Sequence, residues 1–349
     1  MALASLMICG QDRPYSLMVG DTAPQLAVSR WLQGAPVPAF EKGKVYVVDF
    51  FATWCVPCKK SMPALSALQR QFGESVTFIG VDVWDYQERV PQMLTDMSDR
   101  LSYRVALDTL PDIPKGEGNV PMWARENGQV SKAWLLASGA DGIPTAFIVD
   151  QQGRICWIGN DVTVLQAQLK QVVGGHFDLS EATALYSKQA AYDKRIRDLD
   201  LELFKKRRAK DWEGAIRLCD ELMSIGPELG RYAGLKFTIL LERLNRLEDA
   251  KTFAHLQLSS RNPSANAFTE MALAFVRQKI ELALAEQLAN HAVDLAKGKK
   301  PGPYSALAEI AFARGEKAAA VRWQKKAISL TTDEDDLKEA QKRLADFGG

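Results

Sequence analysis

Val45-Tyr46-Val47-Val48-Asp49-Phe50-Phe51-Ala52, followed at once by Thr53-Trp54-Cys55-Val56-Pro57-Cys58, decides the fold. Apart from Asp49, the first eight residues are apolar in succession rather than alternately, the pattern of a parallel strand buried on both faces. From Lys59 to Phe72 the apolar residues Met62, Leu65, Leu68 and Phe72 return at helical spacing. Two thiols three positions apart therefore stand at a helix N-terminus. Unpaired N–H groups and the helix dipole favour a thiolate there, so the Cys55 pKa is expected below the free value of about 8.5. That makes Cys55 a nucleophile near neutral pH, with Cys58 placed to resolve a mixed disulfide.

Other readings of the pair have less behind them. Structural zinc needs two further Cys or His ligands, but Cys9, Cys156 and Cys219 stand alone and His176, His255 and His291 are scattered. A peroxidatic cysteine is disfavoured by Ala52, where such a motif would have threonine. A redox-inert structural disulfide stays open, although CxxC pairs after a strand are usually reactive. Asp49 favours the active reading. A carboxyl inside a run of Val and Phe should be buried with a raised pKa. Lying six residues before Cys55, it is placed to exchange a proton with Cys58. The alternative for Asp49 is an edge position with its side chain in water.

A second signal lies in Gly142-Ile143-Pro144-Thr145, which precedes the apolar strand Ala146–Asp150, the turn Gln151–Arg154 and a further strand, Ile155–Ile158. Proline entering a strand has lost its ladder donor. A cis peptide at Pro144 would leave the Ile143 backbone free to pair with an extended peptide, and an ordinary turn proline is the alternative.

The strand–WCxxC–helix unit, Pro63 and the later Gly-Ile-Pro-Thr resemble the thioredoxin superfamily. Together with Val19-Gly20-Asp21-Thr22-Ala23-Pro24 they are similar to its TlpA-like thiol–disulfide oxidoreductases over about residues 18–175. The resemblance implies Cys55 as attacking thiol, Cys58 as resolving thiol, Asp49 as buried proton acceptor and Pro144 as cis-proline. Trp54, Pro57 and Ile143 would contact substrate. Two positions depart from the relatives: Ser61 stands where many TlpA-like members have glutamate, and Gly80 where thioredoxin has a lysine near the buried aspartate. Between the motifs, residues 76–83 are expected as a strand, 92–97 as part of a helix and 119–137 as another. That added material resembles the TlpA-like insertion. Trp123 and Trp134, within it, are expected in the core.

Past Gly174-Gly175 strand-like runs give way to Ala, Leu, Lys, Arg and Glu at helical spacing, which marks a domain boundary. Ala215, Ala250, Ala285 and Ala320 recur every 35 residues. Seven residues later stand Leu222, Gln257, Ala292 and Ala327, small or apolar except Gln257. This period resembles tetratricopeptide repeats. The unit with Tyr304, Leu307, Ala308, Phe312, Gly315, Ala320 and Ala327 is most similar, and residues 337–347 read as a capping helix. A non-repeating helical bundle is the alternative. The expected architecture is an α/β thioredoxin-like domain (18–176) after a tail (1–17), followed by an all-α tetratricopeptide-like repeat domain (177–349).

At 349 residues and 47% hydrophobic, the chain can build two real cores. Five cysteines with one obvious pair are no disulfide framework. Net charge is +1, so Lys205-Lys206-Arg207-Arg208 with Lys210 reads as a solvated helix face rather than a nucleic-acid site. Cys156 and Cys219 read as small core residues. No run is long enough to span a bilayer. Met1–Cys9 is apolar but short and lacks a basic start; it reads either as the tail of a secretory signal or as a cytosolic tail. The cell envelope, suggested by the TlpA-like resemblance, and the cytoplasm both remain open. The expected activity is disulfide reduction in protein substrates, with a protein electron donor, a partner protein or peptide at the repeats, and no metal or organic cofactor. The alternatives are a redox-inactive scaffold, or an oxidase or isomerase using the same residues.

Overall fold

A computed structural model describes residues 13–113, 120–260 and 263–348; the segment Met1–Cys9 lies outside them. The contacts divide the chain into two units between Lys194 and Arg195.

The first unit is built on a six-stranded mixed sheet: β1 (Val28–Gln33), β2 (Val45–Phe51), β3 (Val76–Asp82), β4 (Arg104–Asp108), β5 (Thr145–Val149) and β6 (Ile155–Gly159), in the order β1-β4-β3-β2-β5-β6. β2, β3 and β4 run parallel, while β1, β5 and β6 are antiparallel to their neighbours. β2 is central, and every one of its residues is buried. Its alternate residues serve two cores. Val45, Val47 and Phe51 join Met62, Leu65 and Leu68 of α1 (Val56–Phe72), Val90 and Met93 of α2 (Val90–Asp96) and the later helix α5 (Val162–Val173). Tyr46, Val48 and Phe50 join Ile79, Val81 and Trp134 on the other face.

The segment expected as one helix over 119–137 is instead α3 (Met122–Arg125) and α4 (Gln129–Ser131), the latter running into a π-type turn over Lys132–Leu136; residue 119 lies outside the described residues. The break has a physical cause at Gly128. A Cβ there would come 2.3 Å from Asp108 Oδ2. Asp108 accepts the Val130 and Ser131 N–H groups at 2.7 and 3.0 Å, so this carboxylate at the end of β4 starts a new helix. Trp134 is fully buried, as expected, with its ring 5.1 Å from Phe147. Trp123 is not a core residue: it is 49% exposed, because α3 is a single turn with Ala124 as its buried residue.

α6 (Leu179–Arg208) begins beyond the change in composition, and its residues Ala182 and Tyr186 pack on the sheet core. Its last turn carries the basic run, in which Lys205, Arg207 and Arg208 are exposed and Lys206 pairs with Asp211 at 2.8 Å.

The second unit is all helical: α7 (Trp212–Ile225), α8 (Tyr232–Thr238), α9 (Leu247–Leu258), α10 (Ala265–Gln278), α11 (Leu282–Leu295), α12 (Pro301–Ala313), α13 (Lys317–Ile328) and α14 (Glu334–Asp346). α7, α9, α11 and α13 begin 35 residues apart, and Ala215, Ala250, Ala285 and Ala320 within them have no exposed surface. One turn on, Cys219, Ala254, Ala289 and Gln324 are equally buried. At all of these but Gln324 a small side chain lets neighbouring helices approach closely, and α11 packs on α10 and α12, and α13 on α12. Gln257 is half-buried where its counterparts Leu222, Ala292 and Ala327 are enclosed. No helix among the described residues is long and apolar enough to cross a membrane.

Candidate active site

Cys55 and Cys58 are joined in a disulfide with 2.04 Å between sulfurs, at the point where β2 hands over to α1. Cys55 is the N-cap of α1, and its Sγ accepts the Cys58 N–H at 3.2 Å. A sulfur thus occupies the place usually taken by a Ser or Asp oxygen. The first turn of α1 contains no acidic residue to oppose a thiolate. Pro57 sits in that turn, where its missing N–H costs no hydrogen bond. Ser61 donates to the Cys58 carbonyl at 2.8 Å, a neutral contact in place of glutamate.

The cysteine turn is anchored from the end of β3. The Thr53 N–H donates to Asp85 Oδ2 at 2.5 Å, and the Trp54 indole donates to the Trp84 carbonyl at 3.2 Å. Trp84 holds a left-handed φ of 59°, uncommon for a bulky residue. The Arg125 guanidinium lies 5.5 Å from the centre of the Trp54 ring, whose outer edge is exposed beside Val56 and Pro57. On the other flank, the Ile143–Pro144 peptide is cis, and the Ile143 carbonyl oxygen lies 3.7 Å from Cys55 Sγ. Thr145 donates to the Gly142 carbonyl at 2.8 Å and closes the turn that presents them.

Asp49 lies in central β2, not at an edge, with 3% of its surface exposed. Its face of the strand is the one that meets α1, and Cys58 is fully buried in that same core. Burial pushes its carboxyl up to about 8, against a smaller opposing pull from the Tyr103 hydroxyl. Gly80 is its register partner on β3. Farther along β3, Asp82 is fully buried with neither oxygen bonded. Burial, then the neighbouring Asp85 and Asp108, holds its carboxyl well above the usual carboxylate range. Cys156 and Cys219 are buried away from solvent, and burial raises both thiols, Cys219 to about 12.

The fold therefore brings Trp54, Cys55, Pro57, Cys58, Ile143 and Pro144 together where central β2 ends and β5 begins, with Asp49 farther back along β2. Sequence reasoning missed Tyr103, Trp84, Asp85 and Arg125. A signal for two of them was present: Trp84-Asp85 follows the carboxyl end of a parallel strand, where open α/β sheets place their sites. Among the described residues, no group of three or more His, Cys, Asp or Glu side chains is arranged to hold a metal.

Several known proteins are similar to this chain over the region that carries the site. The AhpC/TSA family matches residues 19–158. Protein FixW of Rhizobium leguminosarum is 27% identical over 219 residues, which cover 61% of this chain and 93% of that protein. Thiol-disulfide oxidoreductase ResA of Bacillus thuringiensis is 27% identical over 139 residues, covering 39% of this chain and 66% of its own. A solved thiol-disulfide isomerase from Corynebacterium glutamicum matches 43% of this chain and 96% of its own, at 24% identity and a TM-score of 0.34. Residues 19–158 are thus similar to the AhpC/TSA family and to ResA-type thiol–disulfide oxidoreductases, and an all-helical region follows them.

Proposed function

We propose that this protein reduces disulfides in protein substrates through Cys55 and Cys58. The observation that carries the reading is Cys55 as N-cap of α1, its sulfur already receiving a helix N–H. The same N–H and the helix dipole stabilise negative charge on that sulfur once the pair is reduced. The Cys55 thiolate attacks one sulfur of the substrate disulfide, a mixed disulfide forms, and the first substrate thiolate leaves. Asp49 takes the proton of the Cys58 thiol. The Cys58 thiolate then attacks Cys55 Sγ, the bond to substrate breaks, and the second substrate thiolate leaves and is protonated. Two electrons pass from the dithiol to the substrate, and a protein dithiol donor restores the pair. Trp54, Pro57 and the Ile143–Pro144 turn form the surface on which the substrate strand lies, and the helical unit holds a partner protein or peptide.

The test is the reduction potential of the pair, equilibrated against dithiothreitol and glutathione with Cys58→Ser as control. A value near about −270 mV supports a reductase, and one near roughly −120 mV an oxidant. A pair that does not cycle between those limits ends the redox reading and leaves a binding scaffold. The partner role has its own measurement. Substitutions on exposed faces of α8, α10 and α12 should raise KM for a protein disulfide and leave reduction of hydroxyethyl disulfide unchanged.

A further inference from the structure

Tyr103 stands immediately before β4 and is 2% exposed. Its ring lies across the backbone of Gly80: a Cβ added at residue 80 would come 2.9 Å from Tyr103 Cε2 and 3.1 Å from Phe51 Cε1. Gly80 is also the residue paired with Asp49. The missing side chain on β3 therefore opens a path over the strand, and the Tyr103 hydroxyl uses it to donate to Asp49 Oδ2 at 3.5 Å.

The tyrosine is held there from two sides. Gln33 of β1 donates from Nε2 to the Tyr103 carbonyl at 2.7 Å and to the Leu101 carbonyl at 3.1 Å. Ser66 of α1 accepts the Ser102 N–H at 3.0 Å and donates to the Arg100 carbonyl at 2.9 Å. An edge strand and the cysteine-bearing helix thus fix the main chain on either side of one side chain. Packing alone would call for no hydroxyl and no such clamp.

We propose that Tyr103 is a positioning residue: its hydroxyl orients the Asp49 carboxyl and sets the pH at which that carboxyl takes the proton of the Cys58 thiol. The inference rests on the reading above, in which Asp49 serves Cys58. The neighbours of Asp49 allow little else. β3 offers Gly80, with Asp82 two residues along on the same face, and β5 offers Ala146. The core on that face of β2 also holds the two cysteines of α1 and its cap. Burial holds the Tyr103 phenol well above its ordinary range, so it stays protonated and donates throughout. A donated hydrogen bond favours the ionised carboxyl and opposes the effect of burial. In the step itself the proton moves from Cys58 Sγ to Asp49. The resulting thiolate forms the bond to Cys55 Sγ, and the substrate sulfur leaves with the electron pair.

The experiment is single-turnover reduction of hydroxyethyl disulfide, a neutral substrate, by the full reduced chain between pH 5 and 10. Cys58→Ser isolates the first attack from resolution. Tyr103→Phe should move the pH midpoint of resolution upward by about one unit, as expected for loss of one hydrogen bond to a charged group. The Cys58→Ser profile should not respond to the same change. In an Asp49→Asn background Tyr103→Phe should have no further effect. Gln33→Ala, which frees the tyrosine main chain but keeps its hydroxyl, should shift the midpoint the same way by less, and it serves if Tyr103→Phe folds poorly. Superimposable wild-type and Tyr103→Phe profiles would overturn the proposal, and so would a shift that persists in the Asp49→Asn background. If the wild-type dithiol reduces no disulfide at any pH, the oxidoreductase reading itself fails, an outcome distinct from either of these.

Discussion

Asp49 in β2 and Ala285 in α11 are both enclosed, for opposite reasons. The carboxyl sits where strand register brings Gly80 and Tyr103 to one point. The alanine has three counterparts, Ala215, Ala250 and Ala320, each equally buried. The sheet unit places single polar groups by long-range pairing, so one substitution removes a function. The helical unit satisfies one packing rule several times over, and a lapse such as Gln257 is absorbed. Chemistry needs an irregular interior, whereas stacking needs only small residues at a fixed interval.

The sharpest break in that comparison comes at the cysteines. Cys55→Ser should bring reduction of hydroxyethyl disulfide down to the uncatalysed rate, whereas Cys58→Ser should release one equivalent of thiol and stop as a mixed disulfide, read by mass spectrometry. Next in size is Asp49→Asn. The wild-type carboxyl holds its proton more tightly folded, near 8, than unfolded, where its ordinary value is 3.8. Between those values the folded state binds more protons than the unfolded one, so this group's contribution to stability falls as pH rises from about 4 to 8. Asp49→Asn removes that slope. Its oxidised form should gain on wild type by several kcal/mol over the interval, measured by guanidinium unfolding at pH 5 and pH 8.

The two tryptophans of the inserted segment test whether burial or mere presence matters. Trp134→Ala opens a void among Phe40, Phe50 and Phe147 and should cost roughly 3–5 kcal/mol, while Trp123→Ala should fall within about 0.5 kcal/mol. In the helical unit, Ala285→Leu should cost about 1–3 kcal/mol by overpacking, and Gln257→Ala about 0.5 kcal/mol or less, both followed as helical signal in denaturant. Equal effects at 285 and 257 would dissolve the distinction between packing positions and tolerant ones.

What the sequence made legible was whatever lies contiguous or recurs. The strand and helix around WCVPC, the strands at residues 76–82 and 145–159, and the alanines 35 residues apart are all local or periodic signals. What stayed hidden depends on partners distant in the chain. β1 pairs with β4, and β4 with β3, and nothing in either short run announces that register. Gly80 was visible as a departure from thioredoxin, but its use by Tyr103 was not, because 23 residues and a helix separate the two. The expected helix over 119–137 failed through Asp108, which caps a new helix at Gly128 from another strand. Helical spacing was legible past Gly175, but the extent of the long α6 was not, because its charged residues are spread around it and leave only a weak apolar stripe.

Cys156 and Cys219 give the molecule a further property: fidelity. A protein that trades disulfides for a living risks bridging its own thiols. Both of these are buried, and burial holds both as thiols, the form that does not attack. Cys55, by contrast, caps a helix that favours its thiolate, so a thiol-specific label applied near neutral pH to the folded, reduced chain reads Cys55 in preference to either.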